Sequence, residues 1–289
     1  MGVLIERETE LTVLGEIVEA AAGGRGGAAL IEGEPGIGKT QLLGLARDRV
    51  LTSEARVLYA TADEIETGVP LAAARVLLGQ AARSVARDGP ARLGLLALDG
   101  ALAESTGPGS RSDEVVHALW WLIVEVAEQR PLVLFLDDAQ WADDLTLGLL
   151  RMVARRAPEL SLALIVAARP SAPGGRHALL SAEPAFMRIV PSALSLAGTA
   201  RLFEEVLGRS GSETVVAQAH AVTRGNPLYL SELLHQARVL GLDPMNDVFV
   251  NGRPPPQLVR MVEDRFKRLT PGASALARAV AVLGSDADA

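Results

Sequence analysis

Residues 33–40 read GEPGIGKT, which fits the phosphate-loop pattern G-x-x-x-x-G-K-[ST]. Nothing else in the chain restricts its fold as tightly. Such a loop needs a buried strand before it and a helix after it. Ala28–Glu32 supplies a short apolar run, and residues 39–51 place Leu42, Leu43, Ala46 and Val50 on one helical face. Gly33, Gly36 and Gly38 allow the conformations that turn successive N–H groups inward as an anion nest. The helix N-terminus adds its dipole. Lys39 is expected to reach the β- and γ-phosphates of a nucleotide, and the Thr40 hydroxyl to coordinate magnesium, a cation that demands hard oxygen ligands. The expected binding set is Gly33, Glu34, Pro35, Gly36, Ile37, Gly38, Lys39, Thr40 and Gln41. Only two of the 28 basic residues are Lys, Lys39 and Lys267, so one of the two stands in this slot.

A second motif follows downstream. Residues 132–138 read LVLFLDD, an apolar strand ending in paired carboxylates. Behind a phosphate loop this is the Walker B pattern. Asp137 is expected to hold magnesium through a water, and Asp138 to orient or activate the attacking water. Asp is one methylene shorter than the Glu common at that position, which implies slow hydrolysis. Asp143 fits the N-cap of a helix over 144–156.

The remaining pattern extends this βα alternation. Leu11, Leu14, Ile17 and Val18 predict a helix over 8–21. Strands are expected at Arg56–Ala60, Leu132–Leu136, Ser161–Ala168 and Met187–Val190, with helices over 70–87, 92–105, 113–129 and 144–156. That alternation indicates an α/β fold, a parallel sheet with helices on both faces. After about residue 197 only helices are expected, over 198–208, 212–223, 226–240, 256–269 and 272–283, with a loop over 241–254. The domains predicted are a nucleotide-binding domain over 1–196, a small all-α domain over 197–252, and a further region over 253–289. The last helix is apolar and ends close to Ala289, as in a piece of a longer protein.

Composition excludes several functions. Hydrophobic residues make up 49% of the 289 residues, which excludes whole-chain disorder. The net charge of −7 gives no basic footprint for wrapping DNA. At 3% aromatic, extensive stacking on single-stranded nucleic acid is not expected. Without Cys there are no disulfides, zinc thiolates or thiol nucleophiles. His117, His177, His220 and His235 show no metal-ligand spacing. Apolar runs reach about seven residues, far short of a membrane span. Glu6, Arg7 and Glu8 break the first apolar stretch, so no signal peptide is read and a cytoplasmic location is expected.

GEPGIGKT, LFLDDAQWAD, LIVAARP and RGNPLYLSELL occur in that order. Together they resemble the STAND branch of the AAA+ P-loop NTPases, and most of all the ATPase module of the large ATP-binding regulators of the LuxR family. The opening IERETEL is similar to that family's G-R-E-x-E-L, with Glu6 where the pattern has Gly. VEDRFKRLTPGASALARAVAVLG resembles the stretch where a winged-helix domain begins. The resemblance implies adenine as the base, hence ATP or ADP with Mg2+. It implies that Arg169 is a sensor arginine near the γ-phosphate, and that Arg7 lies near the adenine. Pro227, in Gly225-Asn226-Pro227, would pack on the adenine and link the helical domain to the nucleotide. Trp141 is expected to pack, since phosphoryl transfer needs no indole. Superhelical repeats and a helix-turn-helix would belong to further domains, so this chain alone should not bind an operator.

Three functions fit the resemblance. One is a regulatory switch, locked by ADP and released by ATP with an inducer. Another is an AAA+ ATPase that self-associates with ATP and borrows an arginine finger from a neighbour. The third is a nucleotide-binding remnant without catalysis. Arg155, Arg156 and Arg176 are the candidate fingers. Asp63, Glu64 and Glu66 either face the site or form a solvated loop.

Overall fold

A strand with no exposed face needs cover on both sides, and two strands here have none. Every residue of β3 (Leu132–Asp137) and β4 (Leu162–Ala168) is buried, as expected for the middle of a parallel sheet flanked by helices. The computed structural model describes residues 5–51, 54–82, 92–98, 112–171 and 175–239. With β1 (Gly27–Glu32), β2 (Arg56–Thr61) and β5 (Phe186–Ile189), these strands form one sheet in the order β2-β3-β4-β1-β5. All four pairings are parallel. Each strand lies within one residue of its sequence-predicted bounds.

Alternate side chains on the strands enter two cores. On one face Leu30, Leu58, Leu134, Leu136, Leu164 and Val166 meet α3 (Ala72–Ala82), α5 (Ser112–Gln129) and α6 (Asp144–Arg156). On the other, Ala29, Ile31, Val133, Phe135 and Ile165 meet α1 (Glu8–Ala22) and α2 (Lys39–Val50). A short helix, α4 (Arg92–Leu98), packs on α5. The register aligns Glu32 with Ala168 and Leu136 with Val166. The carboxyl ends of β1, β4 and β3 therefore lie side by side, where open α/β sheets place their ligand crevice.

Local chemistry sets the element ends. Asp143 caps α6, its Oδ1 accepting the N–H groups of Leu145 (3.1 Å) and Thr146 (3.2 Å). Helix α3 begins after the predicted position 70 because Leu71 is left-handed (φ +60°) and a right-handed helix cannot run through it. A one-turn helix, α7 (Ala178–Ser181), was not expected from the sequence. Its Ser181 hydroxyl donates to buried Glu32 (2.7 Å), which also accepts from Arg188.

The chain divides into two compact units between Ser192 and Ala193. The second contains α8 (Leu196–Leu207), α9 (Glu213–Thr223) and α10 (Pro227–Val239). Ser195 and Ser212 cap the first two. The Thr199 hydroxyl lies 2.9 Å from His220 Nδ1 and joins α8 to α9. Gly225 is left-handed (φ +69°), and a Cβ there would lie 2.2 Å from the Leu194 carbonyl oxygen, so the approach of the two segments requires glycine. The helices predicted over 256–269 and 272–283, the loop over 241–254 and the winged-helix resemblance lie outside the described residues. Among the described residues no helix is long and apolar enough to cross a membrane.

Phe135 is fully buried in the middle of the sheet. Phe135→Ala should cost about 3–5 kcal/mol of stability through the cavity it leaves. A urea unfolding curve should show this as a lower midpoint.

Candidate nucleotide site

The loop after β1 has the backbone that its glycines permit. Gly36 (φ +82°) and Gly38 (φ +101°) are left-handed, and Gly38 leads directly into α2. Lys39, the first residue of α2, is only 7% exposed. Its Nζ donates to the carbonyls of Gly33 (2.7 Å) and Glu34 (3.1 Å), which hold it across the loop. Burial lowers its pKa below the usual lysine value. Asp138, Asp137 and Glu34 oppose that shift, while the charge of Arg169 adds to it. The ends of four segments thus share one electrostatic neighbourhood.

Asp137 closes β3 and is 2% exposed. Its Oδ1 accepts the Asp138 backbone N–H (2.8 Å). Burial raises its pKa, and the Thr40 side chain and the Asp138 backbone N–H restrain the rise. Asp138 is left-handed (φ +51°), a conformation that Asp tolerates better than most residues. The 3-10 turn Ala139–Trp141 follows.

Gln140, buried in that turn, bridges two strand ends. Its Nε2 donates to Asp138 Oδ1 (2.6 Å), and its Oε1 accepts the Arg169 N–H (3.0 Å). The partners fix the amide's orientation, because an N–H needs the oxygen and a carboxylate needs the NH2. Arg169 follows β4, with its guanidinium carbon 5.5 Å from the centroid of the Trp141 ring. Its Nε is buried with no hydrogen-bond partner among the described residues.

The other predicted residues are distributed as follows. Thr40, Gln41 and Glu34 are exposed, Ile37 is buried, and Pro35 is half-buried. Arg7 is 2% exposed, and its guanidinium donates to the carbonyls of Ile37 (3.1 Å), Ser192 (2.5 Å) and Glu6 (2.7 Å). It braces the apex of the phosphate loop. Glu6 is left-handed (φ +57°), a backbone that favours Gly. Pro227 belongs to the second unit, where it opens α10; Asn226 caps that helix by accepting the Leu228 N–H (3.1 Å). The three candidate fingers have partners in their own chain. Arg155 pairs with Glu183 (3.3 Å), Arg156 lies over Trp120 (5.7 Å), and Arg176 pairs with Asp144 (3.3 Å). Asp63, Glu64 and Glu66 are exposed around a 3-10 turn.

Sequence reasoning did not single out Gln140 and took Trp141 for packing alone. Trp141 does pack on the core, but it also faces Arg169. The Q-W pair directly after the two carboxylates was the available signal.

The residues present fit a nucleotide with magnesium. Thr40, at the start of α2, and Asp137, at the end of β3, supply hard oxygens of the kind magnesium takes. The charge of Arg169 adds to the burial cost of the Lys39 charge, and a bound anion would offset both. The orphaned Nε of Arg169 lacks only an acceptor.

The raised pKa of Asp137 has a stability consequence. Its ionised form is penalised in the folded state, so the penalty is complete above the folded pKa. It fades as pH falls through that value toward the ordinary 3.8. Asp137→Asn should therefore raise the Tm of the metal-free chain at neutral pH. The gain should shrink on acidification, as read by thermal melts in chelator across a pH series.

Residues 3–166 match the family model described as AAA ATPase domain. An uncharacterized protein of Rhizobium meliloti (strain 1021) is 28% identical over 59% of this chain. The chain spans 19% of that relative's length. Among solved structures, Aeropyrum pernix ORC1 in complex with DNA is similar at a TM-score of 0.51 and 18% identity, over 99% of this chain and 74% of that one. A Walker-type ATPase of Pyrococcus abyssi gives 0.51 and 16%, over 95% and 76%. At those identities the likeness concerns the fold alone. The matched region includes the phosphate loop, Asp137, Asp138, Gln140 and Trp141, and covers more than half of the chain: the chain belongs to the AAA ATPase domain family.

Proposed function

We propose that this chain is the nucleotide-controlled switch module of a larger, signal-responsive transcriptional regulator of the STAND type. It binds ATP or ADP with magnesium and hydrolyses ATP slowly. The observation that carries this reading is the left-handed glycine loop that holds buried Lys39, at the same sheet end as Asp137 and Asp138 and an Arg169 whose buried Nε has no hydrogen-bond partner among the described residues.

The loop N–H groups and Lys39 hold the phosphates. Thr40 and Asp137 would hold magnesium, which would supply charge neutralisation on the phosphate oxygens. Asp138 orients the attacking water and accepts its proton. Arg169 balances charge on the terminal phosphate. Arg7 braces the loop through the Ile37 carbonyl. Pro227, at the start of α10, would give the helical unit its response to the nucleotide.

Slow turnover follows from the short Asp138 side chain and from the in-chain partners of Arg155, Arg156 and Arg176. The 19% span of the Rhizobium relative supports a module within a longer protein. The net charge of −7 supports leaving DNA contact to another domain.

Chromatography of the nucleotide released on denaturing the purified chain should yield stoichiometric ADP. Lys39→Ala should weaken Mg-ATP binding by at least about tenfold, through loss of a charge-assisted contact. Asp138→Asn should retain binding while turnover falls by about a hundredfold. An empty protein with fast turnover that rises with protein concentration would overturn the switch in favour of a ring ATPase.

A further inference from the structure

Several arginines of the first unit pair with carboxylates, whereas Arg169, like Arg156 over Trp120, lies against an indole. Arg151 and Arg155 pair with Glu183, Arg176 with Asp144, and Arg188 with Glu32. Arg169 pairs with no carboxylate among the described residues. Among the described residues its guanidinium has neither an ion pair nor a hydrogen bond, and its neighbour is the Trp141 ring at 5.5 Å. The distinction matters chemically. A carboxylate would occupy the N–H fork with acceptors. An indole attracts the cation through its π face and offers the fork no acceptor. The arginine is then located but still able to donate.

The platform is itself fixed. The Trp141 N–H donates to the Asp138 carbonyl (2.9 Å), and the Ala142 N–H donates to the Ala139 carbonyl (3.1 Å), closing the turn. Asp143 anchors its far side as the α6 cap. The Gln140 amide ties the same turn to the Arg169 N–H on one side and to Asp138 on the other. His177 Nε2 lies 3.1 Å from the Arg169 carbonyl oxygen. Both ends of the Arg169 backbone and the head of its side chain are therefore held, and only the guanidinium donors remain open.

We propose that Trp141 is a positioning residue for nucleotide discrimination: its indole face, with the turn locked by the Gln140 amide, presents the Arg169 guanidinium to a third phosphate that ATP has and ADP lacks. The inference rests on the reading of Arg169 as the group that meets the terminal phosphate.

The test is isothermal titration of the whole chain with Mg-ATPγS and with Mg-ADP, after thermal melts show that each variant folds. Trp141→Leu keeps apolar packing and removes the π face. It should weaken ATPγS about three- to tenfold while ADP affinity stays within about twofold. Trp141→Phe restores a face and should recover most of the ratio. If the Leu variant does not fold, the Phe variant carries the test with a loss of about twofold, confined to ATPγS, because its ring attracts cations more weakly. In an Arg169→Ala background, Trp141→Leu should add nothing, since residues acting through one another are not additive. Equal weakening of both nucleotides, or full additivity with Arg169→Ala, would make Trp141 merely structural and overturn the proposal. An unchanged ATPγS-to-ADP ratio in Arg169→Ala alone would instead overturn the reading of Arg169 beneath it.

Discussion

The Lys39 ammonium lies almost out of water at the end of β1, bonded to two carbonyls of its own loop. Removing a cation from water is costly unless nearby groups compensate. Glu34 of the same loop and Asp137 and Asp138 at the end of β3 compensate, while Arg169 after β4 adds to the cost. Their alignment depends on strand register, which depends in turn on the two apolar cores that clamp the sheet. The cores thus keep five charged groups within reach of one another. The net result still disfavours Lys39's charge, and burial likewise disfavours the charge of Asp137. Such unfavourable electrostatics is characteristic of a site built for a ligand rather than for stability.

Much of this could be read from the sequence, for physical reasons. The glycine spacing of residues 33–40 encodes a backbone shape and therefore a position in the fold. Apolar runs that end in turn residues define strands, so the strands were predicted to within a residue. Other features lack a local signature. Leu71 and Glu6 adopt left-handed backbones that their side chains do not announce. The Gln140 bridge joins residues 29 apart in the sequence, and no periodicity expresses it. Trp141 was legible as an apolar residue but not as a seat for a cation 28 positions away.

The family match ends at residue 166, short of Arg169 and of the whole helical unit. Membership in the AAA ATPase domain family therefore stands on the loop and the paired carboxylates. The proposed discrimination between nucleotides stands on the side-chain geometry around β4. These foundations are independent, and each can fail without the other.

Arg7 joins three carbonyls, from Glu6, Ile37 and Ser192, through one guanidinium. They belong to the approach to α1, the apex of the phosphate loop and the last residue of the first unit. A planar fork of five donors suits such convergence, and no other side chain could replace it donor for donor. Where the chain enters its first unit, where it turns around a phosphate and where it leaves are therefore fastened by a single rivet. Displacing any one of the three segments would strain the other two.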